Sequence, residues 1–282
     1  MTFWYQLVDL LPFEWAEPGK MLFMKNALLA IIVLAPIFGI LGTMIVNNQM
    51  AFFSDALGHG AFTGVVIGGL AGFMLPVWSA VAFSIVFSVC ISVVKQRTKM
   101  ASDTIIGVFS SIAVAAGIFI ATLGGKSFTK LNSFLVGSIL SITPSEIGLL
   151  GLILLFVLVF WLFFFNKLLF SSVNSSLARS RGLKTFPLDM IFSMVIAVLV
   201  TVAMSWIGLL VINSFLVLPA ASARNISSNQ RQYHRRAIAI SLFSGVAGLI
   251  SSYYFETAAG ATIVIISSII FLITLALRKR HA

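Results

Sequence analysis

Charge is scarce in this 282-residue chain. Asp, Glu, Lys and Arg make up 9% of it, against about 25% in a soluble domain. Only eight residues are acidic, and one is a cysteine. Cys90 has no partner for a disulfide, so nothing here depends on an oxidising compartment. No cleavable signal pattern is evident, because Asp9, Glu14 and Glu17 precede any long apolar run. Catalytic signatures are missing too. Gly124-Gly125-Lys126-Ser127 matches only the end of a phosphate-binding loop, with Ile120 standing where the first glycine is needed and no strand ahead of it. No Ser-His-Asp, HExxH or paired-carboxylate constellation has the spacing of a hydrolase. The chain therefore reads as having no enzymatic site and no nucleotide site of its own.

What fills the sequence is apolar: 60% hydrophobic residues and a mean hydropathy of +1.09. That composition implies an all-α polytopic membrane protein built as one transmembrane domain. Stretches long enough to span occur at about 26–46, 52–72, 76–94, 104–123, 144–166, 188–206, 207–223, 237–254 and 259–277. The net charge of +10 does not mark a nucleic-acid partner, because the basic residues sit in short loops with no aromatic-interleaved patch. They mark topology instead. With nine spans and the N-terminus outside, 14 of the 18 Lys and Arg residues fall on the cytoplasmic side, and only Lys20, Lys25, Lys126 and Lys130 lie outside. Merging 188–223 into one helix would split that bias evenly, so a break is expected near Ser205-Trp206-Ile207-Gly208. The C-terminus is then cytoplasmic.

Residues 1–20, with Trp4, Tyr5, Phe13 and Trp15 among acids, are too short and polar to span and read as an interfacial helix on the outer face. The transmembrane domain is then 21–282, with residues 131–140 as a candidate half-helix ahead of Pro144. The longest cytoplasmic loop, about 167–186, contains a possible Asn174 or Ser175 cap, a short helical stretch from Leu177 to Arg181 and a Gly182 stop. It suits either a solvated linker or a docking element for a cytoplasmic partner.

Between Lys25 and Lys95 only one carboxylate and one imidazole interrupt the apolar chain: Asp55 and His59. Four positions apart, they share a helix face. Ionisable groups at membrane depth are costly and usually line a path. A carboxylate oxygen with an imidazole nitrogen suits zinc or manganese. A helix cap beside a His held by a neighbouring carbonyl is the other reading. Gly60, Gly64, Gly68 and Gly72 form a stripe on the same helix that lets a neighbour approach closely. Asp103 and Glu146 read as helix-start acids, and Glu256 as a solvated loop acid. Asn213 and Ser214 fit either interhelical hydrogen bonds or a path lining. His234 and His281 sit in basic loops and read as non-ligands, and the ten methionines as mostly packing.

These residues resemble the membrane permeases of ABC importers for zinc and manganese, over nearly the whole chain from about residue 22. Asp55-Ala56-Leu57-Gly58-His59 resembles that family's aspartate-alanine-x-x-histidine motif, and Asp103-Thr104-Ile105-Ile106-Gly107 its next helix start. Pro219-Ala220-Ala221-Ser222-Ala223 and Gly260-Ala261-Thr262-Ile263-Val264 are similar to two later segments. Four pieces in order, at matching intervals, make the resemblance specific. Asn174 and Ser175 depart from the acids common before the coupling helix, Asn47-Asn48-Gln49 replaces a common basic residue, and Gly58 and Gly60 flank His59 where Ser or Ala is usual.

The resemblance implies a prokaryotic cytoplasmic-membrane importer of a divalent metal, zinc before manganese. Its partners would be a second permease copy, two cytoplasmic ABC ATPase subunits that carry the ATP, and an extracytoplasmic metal-binding protein. Asp55 and His59 would be pathway ligands, and Leu177, Arg179, Arg181 and Gly182 would belong to the coupling helix. A twofold axis would bring two Asp55-His59 pairs to one ion. The rival readings are a siderophore or cobalamin-type permease and an ion-coupled secondary carrier acting alone.

Overall fold

The computed structural model describes residues 2–72, 76–98, 100–123 and 137–278, which form helices, turns and loops without a strand. A short helix α1 (Thr2–Val8) precedes nine long ones: α2 (Leu22–Asn47), α3 (Phe53–Leu70), α4 (Pro76–Arg97), α5 (Ser102–Leu123), α6 (Pro144–Val173), α8 (Thr185–Ile207), α9 (Leu209–Ile226), α10 (Gln230–Tyr254) and α11 (Ala259–Ala276). Between α6 and α8 lies the six-residue α7 (Ser175–Ser180).

Eight of the nine long helices are apolar enough to cross a membrane. The exception is α3, which has the length, at 18 residues, but carries Asp55, His59 and three of the stripe glycines. The expectation of about nine membrane helices is thus close to the eight candidate spans among the described residues, and the helix bearing the ionisable pair is the one that falls short and needs protein around it.

The expected break between 205 and 208 is present. α8 stops at Ile207, α9 starts at Leu209, and Gly208 between them has φ +91°, a left-handed conformation that suits glycine. Gly137 packs against it so closely that a Cβ there would lie 2.3 Å from the Gly208 nitrogen. The chain reverses here. Thr185 and Asp189 of α8 share a pocket with Asn48 and Met50, and Arg224 of α9 reaches the Val46 carbonyl at the same end. Asn225 approaches Thr274 of α11, so the basic clusters around 95, 179, 224 and 278 gather at one end of the bundle.

The N-terminal segment covers the opposite end. Trp4 Nε1 donates to the Lys25 carbonyl at 3.0 Å and Tyr5 to Asn26 Oδ1 at 2.9 Å. Lys25 Nζ pairs with Asp9 and donates to the Glu17 carbonyl. It is not one helix over 1–20: Pro12 and Pro18 interrupt it, leaving α1 and a 3₁₀ turn at Glu14–Ala16 that buries Trp15. Of the candidate half-helix at 131–140, residues 131–136 lie outside the described residues, while Ile139–Ser141 forms a single 3₁₀ turn. α6 then starts at Pro144 behind a capping box in which the Thr143 side chain accepts from the Glu146 amide and Glu146 accepts from the Thr143 amide.

Packing sorts the long helices into two groups. One comprises α2, α6, α9, α10 and α11, the other α3, α4, α5 and α8. Close backbone approach builds the first, with a Cβ on Gly42 meeting the Leu216 carbonyl oxygen at 2.0 Å. The second combines such approaches, Gly64 against Ala80 for example, with buried hydroxyl contacts: Thr63 to the Ala113 carbonyl at 2.6 Å and Thr201 to Ser84 at 2.9 Å. The groups meet where α3 and α8 pack on α9 and where α6 packs on α8.

Candidate functional site

Asp55 sits in the first turn of α3, where a carboxylate is favoured by the helix dipole, and the four-residue spacing sets His59 one turn further on the same face. His59 Nε2 lies 3.5 Å from Asp55 Oδ2. The other carboxylate oxygen is taken from across the seam: Asn213 Nδ2 of α9 donates to Asp55 Oδ1 at 3.2 Å. α3 and α9 come this close because residue 58 is glycine, where a Cβ would meet the Leu209 side chain at 2.5 Å. The departure from the usual small side chain beside His59 thus has a packing reason.

Asp55 and Asn213 line a cavity of about 530 Å³. Its walls are Gly137–Leu140 ahead of α6, the α8–α9 break, and Thr257–Ala261 leading into α11. These segments belong to the end of the bundle away from the basic clusters. The cavity therefore runs from that end to a carboxylate within the bundle. Asp55 is 45% and His59 31% exposed at the side chain, so both are reachable. Around them three buried polar atoms have no partner: Ser54 Oγ, Asn213 Oδ1 and Ser214 Oγ. Among the described residues no three His, Cys, Asp or Glu side chains cluster to hold a metal ion.

The docking candidate is folded as its sequence suggests. Asn174 Oδ1 accepts from the Leu177 amide at 2.9 Å and caps α7, and Gly182 ends it with φ +80°. Ala178 is buried, while Leu177 is 45% exposed. Arg179 Nε returns to the Ser175 carbonyl, and Arg181 lies over the Phe170 ring of α6. Behind α7 a pocket of about 240 Å³ is shared with Lys95 and Asp189.

The remaining candidates fall to structural roles. Asp103 opens α5, and Glu256 is an exposed turn residue with φ +52°. His234 is held by Thr43 Oγ1 at 2.8 Å and packed among Trp161, Phe165 and Tyr233, away from Asp55. His281 lies outside the described residues. Met24, Met44 and Met204 are core. Sequence reasoning left Asn213 undecided. An amide in an apolar span was the available signal, and its partner, 158 positions away, was not readable.

Residues 20–278 match the family described as ABC 3 transport family. The chain is 30% identical over 254 residues to the high-affinity zinc uptake system membrane protein ZnuB of Haemophilus influenzae, covering 90% of this chain and 97% of that one. It is likewise 30% identical to the manganese import system permease protein ScaB of Streptococcus gordonii, over 89% and 90% of the two chains. Its fold is similar to a solved structure, PsaBC from Streptococcus pneumoniae in complex with Fab, with a TM-score of 0.76, 26% identity, and coverage of 97% and 95%.

Proposed function

The chain belongs to the ABC 3 transport family, and on that premise we propose that it is the permease subunit of an ATP-driven importer carrying a divalent metal ion, zinc before manganese, across a prokaryotic cytoplasmic membrane. The carrying observation is the Asp55–His59 pair, set on the least lipid-suited long helix, with Asp55 lining a cavity that runs from one end of the bundle. The cavity end faces outward and receives the ion from an extracytoplasmic metal-binding protein. The basic end faces the cytoplasm, in keeping with the positive-inside rule, with the N-terminus outside and the C-terminus inside.

Asp55 and His59 act as ligands in the path. A carboxylate oxygen and an imidazole nitrogen replace part of the ion's water as it leaves the cavity. A second copy of the chain completes the permease, and ATP is hydrolysed on two separate cytoplasmic subunits. α7 docks on them: capped at both ends, with Leu177 outward and Arg179 and Arg181 beside it, it is a preformed knob. Zinc and manganese are the ions in the relatives' names, and the oxygen–nitrogen pair suits both.

The test is uptake of radioactive Zn²⁺ and Mn²⁺ by cells carrying the complete importer. Asp55→Ala and His59→Ala are expected to abolish uptake at an unchanged amount of chain in the membrane. Normal uptake by both variants would remove the assignment.

A further inference from the structure

We infer that Asn213 is a metal-contacting specificity residue whose side-chain oxygen joins Asp55 and His59 around the transported ion. The inference rests on the metal reading of that pair and adds a ligand from the other helix group. Without an ion, Asn213 Nδ2 donates to Asp55 Oδ1 at 3.2 Å, which suits a carboxylate in need of a donor. The other half of the amide is the informative half. Asn213 Oδ1 is buried and accepts from nothing, and a buried amide oxygen left without a donor calls for a cause. A cation takes an oxygen lone pair without needing a donor.

Asn213 and Asp55 line the same cavity. When a divalent ion reaches the Asp55 carboxylate, the amide N–H group facing it becomes a like-signed neighbour of the ion. The two halves of an asparagine amide are nearly equal in shape. A half-turn of the amide exchanges Nδ2 for Oδ1 within nearly the same volume. One residue then serves both states, as donor to the empty carboxylate and as ligand to the ion.

Each chain so equipped offers a carboxylate oxygen, an imidazole nitrogen and an amide oxygen. Water, or the Asp55–His59 pair of a second copy across a twofold axis, completes the shell. The third donor is a hard neutral oxygen, which favours manganese relative to a nitrogen or sulfur in the same place. It also ties α3 to α9, so loading the ion bears on the seam between the two helix groups.

The experiment measures Zn²⁺ and Mn²⁺ uptake by the intact importer in cells, normalised to the chain present in the membrane, for four variants. Asp55→Ala controls the underlying reading. Asn213→Leu keeps the volume and removes the oxygen, and is expected to lower Mn²⁺ uptake by at least about tenfold, with a smaller loss for Zn²⁺. Asn213→Asp keeps an oxygen and loses the donor, and is expected to retain uptake. Asn213→His replaces oxygen by nitrogen and is expected to move the uptake ratio toward Zn²⁺. If Asn213→Asp fails as badly as Asn213→Leu and the Zn²⁺ to Mn²⁺ ratio stays constant, Asn213 only positions Asp55 and the inference is overturned. Wild-type uptake of both ions by Asn213→Leu overturns it as well. Uptake undiminished in Asp55→Ala removes the metal reading itself, a result distinct from either.

Discussion

Among the described residues, two pairings of a carboxylate with a basic side chain that are not simply surface pairs, Lys25–Asp9 and His59–Asp55, are built in opposite ways. In the first, Lys25 is 1% exposed, its ammonium faces Asp9, and the Glu17 carbonyl accepts a further hydrogen bond from it at 3.0 Å. The buried ammonium has two acceptors, and the pair fastens the N-terminal segment across the end of the bundle. In the second, Asp55 and His59 are 3.5 Å apart and partly exposed, and the Asn213 oxygen beside them is left without a partner. A closed pair holds the chain together, whereas an open pair beside an unsatisfied oxygen leaves room for something else to bind.

The sharpest test of that contrast separates amount from activity. Lys25→Met leaves Asp9 without its partner, and breaking a buried pair on one side costs about 3 kcal/mol. The chain is expected to fall in amount and melting temperature while uptake per remaining molecule persists. Asp55→Ala is expected to do the reverse. A Lys25 variant with full stability but no uptake would erase the distinction between the pairs.

A middle-sized effect is expected at the other end. Replacing Arg179 and Arg181 with Glu reverses the charge of α7 without touching the core and is expected to lower uptake several-fold, with ATP hydrolysis uncoupled or the ATPase released. Full uptake with the ATPase firmly bound would show that α7 is not the main contact. The smallest effect is expected from Asn174→Ala, which removes one cap and costs about 1 kcal/mol. α7 should loosen, as amide exchange at Leu177 and Ala178 would report, while the nine long helices remain unchanged. Equal exchange in both proteins would mean that packing of Ala178 alone holds α7.

Local features of the sequence carried over well. The break at Gly208, the Asn174 cap, the Gly182 stop and the shared face of Asp55 and His59 each depend on a few neighbouring residues. The N-terminal segment was legible as non-spanning but not as divided, because the effect of Pro12 and Pro18 was outweighed by its aromatic content. The sorting of helices into two groups was not readable, since it follows from which glycine faces which backbone, as Gly42 faces Leu216. The same holds for Asn213: its chemistry is visible in one dimension, its partner only once α9 crosses α3. Burial of Lys25 was likewise hidden, because a lysine near a helix start is ordinarily solvated.

α6 runs for 30 residues from Thr143's cap to Asn174's, a single rod of about 45 Å. Just before its first turn lie Ser138, Ile139 and Leu140 of the cavity wall, and one residue past its last turn α7 begins. In mechanical terms it is a push-rod with a load at each end. A shift imposed on α7 travels along a hydrogen-bonded column that resists compression, and arrives at the cavity with only the turn before Thr143 left to absorb it.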